Sequence, residues 1–164
     1  MTTEERLSAL EHRLQVAEDH LEILRLLNSY GPLADSGSSG PVSQLWVKGG
    51  FYDISLPEGG SARLKAPEDL IDLYEGEGHM AMVREGLAHF TGTPRITVKG
   101  DGAQAVGYSL VISKKGDGWI VWRAAINEWT LTRTAEGWRI VERFNRVLNG
   151  SPVSHETMRK VLVS

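Results

Sequence analysis

Residues 89–148 constrain the fold of this chain more than any other stretch. From His89 onward apolar residues recur with period two, and short glycine turns separate the runs at Asp101-Gly102, Gly116-Asp117-Gly118 and Ala135-Glu136-Gly137. Alternation of this kind puts successive side chains on opposite faces, and such turns join antiparallel neighbours. The pattern predicts strands within "HFTGTPRITVKG", "AQAVGYSLVISKK", "WIVWRAAINEWTLTRT" and "WRIVERFNRVLN", connected as a meander.

The first half follows a different period. Leu7, Leu10, Leu14, Ala17, Leu21 and Leu24 are spaced by three and four, a heptad-like stripe on a helix spanning residues 4–29. The stripe can pack on its own domain or reach a neighbouring subunit. Gly31-Pro32 is expected to interrupt this helix, because Pro32 lacks an amide proton and biases Gly31 away from helical angles. "DSGSSGP" then reads as a loop, "PVSQLWVKGG" as a short helix, "FYDISL" as a strand and "PEGG" as a turn. "APEDLIDLYEGEGHMAMVREGL" reads as one or two helices broken near Gly76–Gly78, and the tail allows one more short helix. Helices first and a meander second define an α+β chain, with helices on one face of a curled antiparallel sheet. A length of 164 residues without internal repeats fits a single domain over 1–164, with its core at 4–148 and a tail at 149–164.

Composition removes several function classes. The net charge is −3 with no basic stripe, so nucleic acid is not an expected partner. The chain has no cysteine, hence no disulfide and no thiolate chemistry. No apolar run reaches the ~18 residues of a membrane span, and "MTTEERLSALEHRLQ" is charged and amphipathic rather than a signal peptide. A cytoplasmic protein is expected. No glycine-rich phosphate loop follows a strand, and no histidine pair has zinc-ligand spacing, so neither cofactor nor metal is expected.

Strand parity proposes an interior. Trp138, Ile140, Glu142, Phe144, Arg146 and Leu148 share one mostly apolar face of the last strand, which would point Arg146 inward. A charge there is either paired or used on a ligand oxygen. In the preceding strand both faces are apolar around Trp119–Ile126. With helices on one side only, the second face needs other cover, so a homo-oligomer, dimer or trimer, is expected.

The titratable candidates for chemistry are few. A histidine oriented by an aspartate makes a general base near neutral pH, and His89 with Asp35 could form such a dyad. On local grounds alone Asp35 reads first as a capping or turn aspartate before "SGSSG". Tyr30 and Asp35 lie about 140° apart on an ideal helix, so periodicity alone does not make them converge.

These residues resemble a known family. The "Y-x4-D" of Tyr30 and Asp35, the "HFTGTPRITV" leading into the sheet and the closing "GWRIVERFNR" are similar to SnoaL-like domains of the nuclear transport factor 2-like superfamily. Relatives include scytalone dehydratase, a hexachlorocyclohexane dehydrochlorinase, bile-acid 7α-dehydratase, ketosteroid isomerase and polyketide cyclases. The opening "TTEERLSALE" looks most like the bile-acid 7α-dehydratase type. The resemblance implies a cone: a curved antiparallel sheet wrapped round an apolar pocket and closed by N-terminal helices. It also implies catalytic roles for Tyr30, Asp35, His89 and Arg146. Trp46, Tyr52, Tyr108, Asn127 and Phe144 are the candidate substrate-binding walls.

The function so implied is a cofactor-independent lyase, a dehydratase-type elimination on an apolar oxygenated cyclic or steroid-like molecule. An isomerase or polyketide cyclase would use the same proton-transfer parts. A binding domain without turnover, or a small subunit supporting an oxygenase, would use the fold alone.

Overall fold

The structure, a computed structural model, describes residues 1–56 and 59–162. The elements are α1 (Thr3–Asp35), α2 (Ser39–Ser43), β1 (Trp46–Ser55), β2 (Ser61–Lys65), α3 (Glu68–Glu75), α4 (Glu77–Glu85), β3 (Leu87–Thr91), β4 (Arg95–Lys99), β5 (Gly102–Lys115), β6 (Gly118–Thr134), β7 (Gly137–Val147) and α5 (Pro152–Arg159), followed by a 3-10 turn at Lys160–Leu162. The turn expected at "PEGG" falls partly outside the described residues.

Helix α1 begins at a capping box. The Glu5 amide donates to Thr2 Oγ1 at 3.1 Å and the Thr2 amide to Glu5 Oε2 at 2.7 Å. The expected interruption at Gly31-Pro32 does not occur: the helix runs through both residues for 33 residues in all. Pro32 sits in the last turn, where the helix is about to stop anyway. The stop is set by Gly37, whose φ of +70° suits a residue without Cβ. The Gly37 and Ser38 amides donate to the carbonyls of Ala34 and Leu33, which closes the last turn.

α1 packs through Asp19, Ile23, Leu27, Tyr30, Gly31 and Ala34. The leucine stripe is therefore not its domain-facing side. Leu7, Leu10, Leu14 and Leu21 are 56%, 57%, 60% and 52% exposed.

The strands form one curved, open sheet in the order β2-β1-β7-β6-β5-β3, and β4 pairs with β5 beside β3. The meander β5-β6-β7 is antiparallel, as its turns require. The sheet is nonetheless mixed rather than wholly antiparallel, because β1 runs parallel to β7. Hairpin turns dictate direction only between sequential strands, and β1 reaches β7 through most of the chain. "PVSQLWVKGG" is not one helix either: α2 takes Ser39–Ser43, and Trp46 already opens β1. Gly50 brings the β1 backbone so close to β7 that an added Cβ would lie 2.9 Å from the Val141 carbonyl oxygen. β2, with only Ala62 and Leu64 turned inward, is a strand that the alternation was too short to announce.

Two one-residue bulges decide which side chains face the interior. Opposite Val111 and Ile112 of β5, strand β6 steps from Arg123 to Val121, leaving Trp122 extra. Opposite Thr130 and Leu131, β7 steps from Glu142 to Ile140, leaving Val141 extra. A bulge reverses the parity of everything beyond it. Trp138 and Ile140 are buried before the second bulge, and Arg143 and Asn145 are buried after it.

Helices α1–α4 cover the inner face around a core that includes Ile23, Leu27, Leu70, Trp129 and Leu131. The outer face is not left wholly to a partner, as expected above. Helix α5 packs against β5, β6 and β7 there, and Ile126 is 2% exposed.

Candidate functional site

β3 is the last strand on its side of the sheet, so its outer backbone groups lack a strand partner. α1 covers that edge. Gly31 makes the approach possible, since a Cβ there would collide with the carbonyl oxygen of His89. By the helical period Tyr30 then lies about 100° to one side of the contact and Asp35 about 40° to the other. The two residues meet His89 from opposite flanks without any break in the helix.

Asp35 holds His89 twice. Its Oδ2 accepts from the His89 backbone amide at 2.7 Å, and its Oδ1 lies 2.6 Å from the ring Nδ1. A carboxylate at Nδ1 places the proton of the neutral ring there and leaves Nε2 as the basic nitrogen. The edge of one ring meets the face of the other between Tyr30 and His89, with centroids 5.5 Å apart. Tyr74 donates to the Tyr30 hydroxyl at 3.3 Å, which leaves the Tyr30 proton for another acceptor. Burial pushes the Tyr74 and Tyr52 hydroxyls above the usual tyrosine range, so both stay neutral. His79, buried behind them, bonds through Nε2 to the Ala34 carbonyl at 3.0 Å and so buttresses the turn that carries Asp35.

These groups open on a cavity of about 300 Å³. Tyr30, Tyr74, His79 and His89 line the helix side; Tyr52, Ile54 and Leu64 line the β1-β2 side. Val111, Trp122, Arg123, Arg143 and Asn145 complete the wall from the meander. Arg143 is 3% exposed and stacked over the rings of Tyr30 and Tyr52, 4.3 and 4.7 Å from their centroids. Its Nε donates to Asn127 Oδ1 at 3.0 Å, and Asn145 Nδ2 donates to the same oxygen at 2.7 Å. Arg123 donates to the Ser55 carbonyl and to Asn145 Oδ1, both at 2.9 Å.

The structure brings together Tyr30, Asp35 and His89, with Tyr52 on the wall. Arg146 is not with them. Beyond the Val141 bulge its parity is reversed, and it pairs with Asp53 at 2.6 Å on the other face of the sheet, stacked 3.4 Å from the Phe144 ring centroid. Phe144 shares that outer face for the same reason. Tyr108 is 53% exposed and does not line the cavity. Trp46 is buried behind the wall, edge-on to Tyr30, and its Nε1 donates to the Phe51 carbonyl at 3.1 Å. Asn127 is fully buried beneath the wall as the acceptor for Arg143 and Asn145. Arg123, Arg143, Asn145, Tyr74 and His79 are among the cavity residues that strand parity and motif reading passed over. A strict alternation through β7 points Arg143 outward, and only the bulge turns it in.

Comparison with known proteins gives a consistent picture. The family model described as the SnoaL-like domain matches residues 15–144. A crystal structure of an NTF2-like protein with a cystatin-like fold from Novosphingobium aromaticivorans is 38% identical, with a TM-score of 0.87 over 93% of this chain and 96% of that one. A protein of unknown function from Mycobacterium tuberculosis is 16% identical, TM-score 0.70, over 94% and 90% of the two chains. A protein provisionally described as the beta subunit of an aromatic-ring-hydroxylating dioxygenase from Novosphingobium aromaticivorans is 19% identical, TM-score 0.64, over 82% and 90%. No curated protein matches the chain.

Proposed function

The chain belongs to the SnoaL-like domain family, and from that premise we propose that it is a cofactor-independent lyase of the dehydratase type. Its substrate is an apolar, oxygenated ring compound. The observation that carries the proposal is the double grip of Asp35 on His89 at the cavity wall, with 2.6 Å between carboxylate and imidazole. That is within the reach required of a base and its orienting group.

The chemistry follows from the tautomer. Nε2 of His89 removes the proton from a carbon next to a carbonyl, and the C–H electrons become the new double bond. The C–O bond to a hydroxyl group breaks, and the imidazolium returns the proton so that water leaves. Asp35 stabilises the imidazolium between the two transfers. Tyr30 donates to the oxyanion that develops on the carbonyl, a preorganised bond of the kind that lowers such barriers. Within the family this reading groups the chain with dehydratases that use an aspartate–histidine pair, such as the bile-acid 7α-dehydratase type that its opening motif resembles. Double-bond isomerisation shares the first transfer and differs only in where the proton returns.

A mass-spectrometric screen of β-hydroxy ketones, including hydroxy-ketosteroids, tests the reading. Loss of one water in the wild type and none above background in His89→Ala is the expected outcome. Water loss that survives in His89→Ala overturns the dyad, and a product of unchanged mass moves the reaction to isomerisation.

A further inference from the structure

The charge of the cavity is unbalanced. Arg63, Arg84, Arg133, Arg139 and Arg146 each lie against a carboxylate. The two arginines of the cavity do not, among the described residues. Arg143 donates to an amide oxygen, and Arg123 donates to a carbonyl and an amide oxygen. Arg123 Nε is buried with no partner. Asp35 is committed to His89 through both oxygens. Burial pushes the Arg123 guanidinium below its ordinary value, while the neighbouring tyrosines outweigh burial at Arg143 and raise it. Two guanidinium groups cannot shed their protons, and removing them from water is costly unless an anion meets them.

We infer that the ligand of this cavity is an acid: a ring-bearing hydrocarbon skeleton with one carboxylate, which docks against Arg123 and Arg143. Guanidinium and carboxylate match in a planar, two-bond geometry, while Ile54, Leu64 and Val111 hold the skeleton. This deepens the reading of the cavity as the substrate site but does not depend on elimination chemistry.

Calorimetric binding of naphthalene-2-carboxylate and naphthalene-2-carboxamide separates the two questions, since these probes share a skeleton and differ in charge. The wild type is expected to bind the carboxylate at least tenfold more tightly than the amide. Arg123→Gln, at the less buried of the two arginines, is expected to cut that preference below threefold. Equal or tighter binding of the amide, no binding of the carboxylate, or an unchanged preference in both Arg123→Gln and Arg143→Gln overturns the inference. Failure of water loss with the preference intact would overturn the lyase alone.

A separate observation concerns α1. Its leucine stripe lies about 140–180° round the helix from Ile23, the centre of its packed face. Residues 3–15 are exposed throughout, with Leu7, Leu10 and Leu14 along one side and the exposed Leu21 continuing that line. The positions flanking a seam through Leu7, Leu10 and Leu14 are Arg6, Glu11, Arg13 and Glu18. In a parallel pair, Arg6 faces the second copy's Glu11 and Arg13 its Glu18; in an antiparallel pair, like charges would face each other.

We infer that α1 pairs in parallel with α1 of a second copy of this chain, leaving the two cavities outside the seam. Light scattering of the full chain at 100 µM is expected to show a dimer. Leu10→Glu/Leu14→Glu, at exposed sites, is expected to give a folded monomer by circular dichroism. Arg6→Glu/Arg13→Glu is expected to weaken the dimer at least tenfold and to recover it on mixing with Glu11→Arg/Glu18→Arg. A wild-type monomer, or a dimer untouched by both double variants, overturns the pairing.

Discussion

Gly31 holds the site together by what it lacks. Its missing side chain lets the His89 backbone lie against α1, and so sets where Asp35 and Tyr30 meet the imidazole. Gly31→Ala forces helix and strand apart, and overpacking of this kind costs about 1–3 kcal/mol. Gly40→Ala, in α2 with open space around it, is the matched control and stays within about 0.5 kcal/mol. Urea unfolding of the two variants checks this. Asp35→Asn keeps the shape but cannot hold an imidazolium, so turnover is expected to fall about 10²–10⁴-fold with the unfolding midpoint little changed. At this scale much was legible in the sequence. The tyrosine, aspartate and histidine were visible as types and spacings. What hid their convergence was the meaning of Gly31-Pro32, which local propensity reads as a break. Its actual consequence depends on a strand more than fifty residues away, and no local rule contains that contact.

At the level of the strands, alternation located the meander and its turns but mis-aimed the last arginines. The single extra residue Val141 exchanges Arg146 and Phe144 for Arg143 and Asn145 on the inner face. Nothing in "WRIVERFNR" marks that bulge, because β-branched residues such as Val141 are ordinary strand formers. The buried ladder between β6 and β7 now turns on Asn127, whose side-chain oxygen accepts from Arg143 and Asn145 while its nitrogen donates to Ser109 Oγ at 2.9 Å. Asn127→Leu strands both donors and is expected to cost about 3 kcal/mol in chemical denaturation. Asn127→Asp does the opposite. It offers Arg143 a carboxylate from within the sheet, so the fold is retained at neutral pH while naphthalene-2-carboxylate binds at least tenfold more weakly. Calorimetry on the Asp variant separates a ligand-directed arginine from one whose only office is packing.

Across the molecule, one carboxylate fastens the long helix to the far end of the sheet. Asp19 is 3% exposed, at the point where α1 stops projecting and starts to pack. Its Oδ2 accepts from Arg133 of β6 at 2.7 Å, and its Oδ1 accepts from Trp138 Nε1 of β7 at 3.3 Å and Gln15 at 3.1 Å. The Arg133 hydrogen bond is the main cause that holds the Asp19 carboxyl below its usual value of 3.8, against the opposing pull of burial. A folded-state value below the unfolded one means that the unfolded chain takes up the proton first as pH falls. The stabilisation is therefore present in full above about pH 5 and is lost progressively as pH drops through the carboxylate range. Asp19→Asn removes the charge and keeps the size, and losing a hydrogen bond to a charged group costs about 2 kcal/mol. The difference in urea midpoint between wild type and Asp19→Asn should accordingly be largest at pH 7 and narrow toward pH 3. A gap that stays constant over that range would mean that Asp19 acts through shape and neutral hydrogen bonds rather than through its charge.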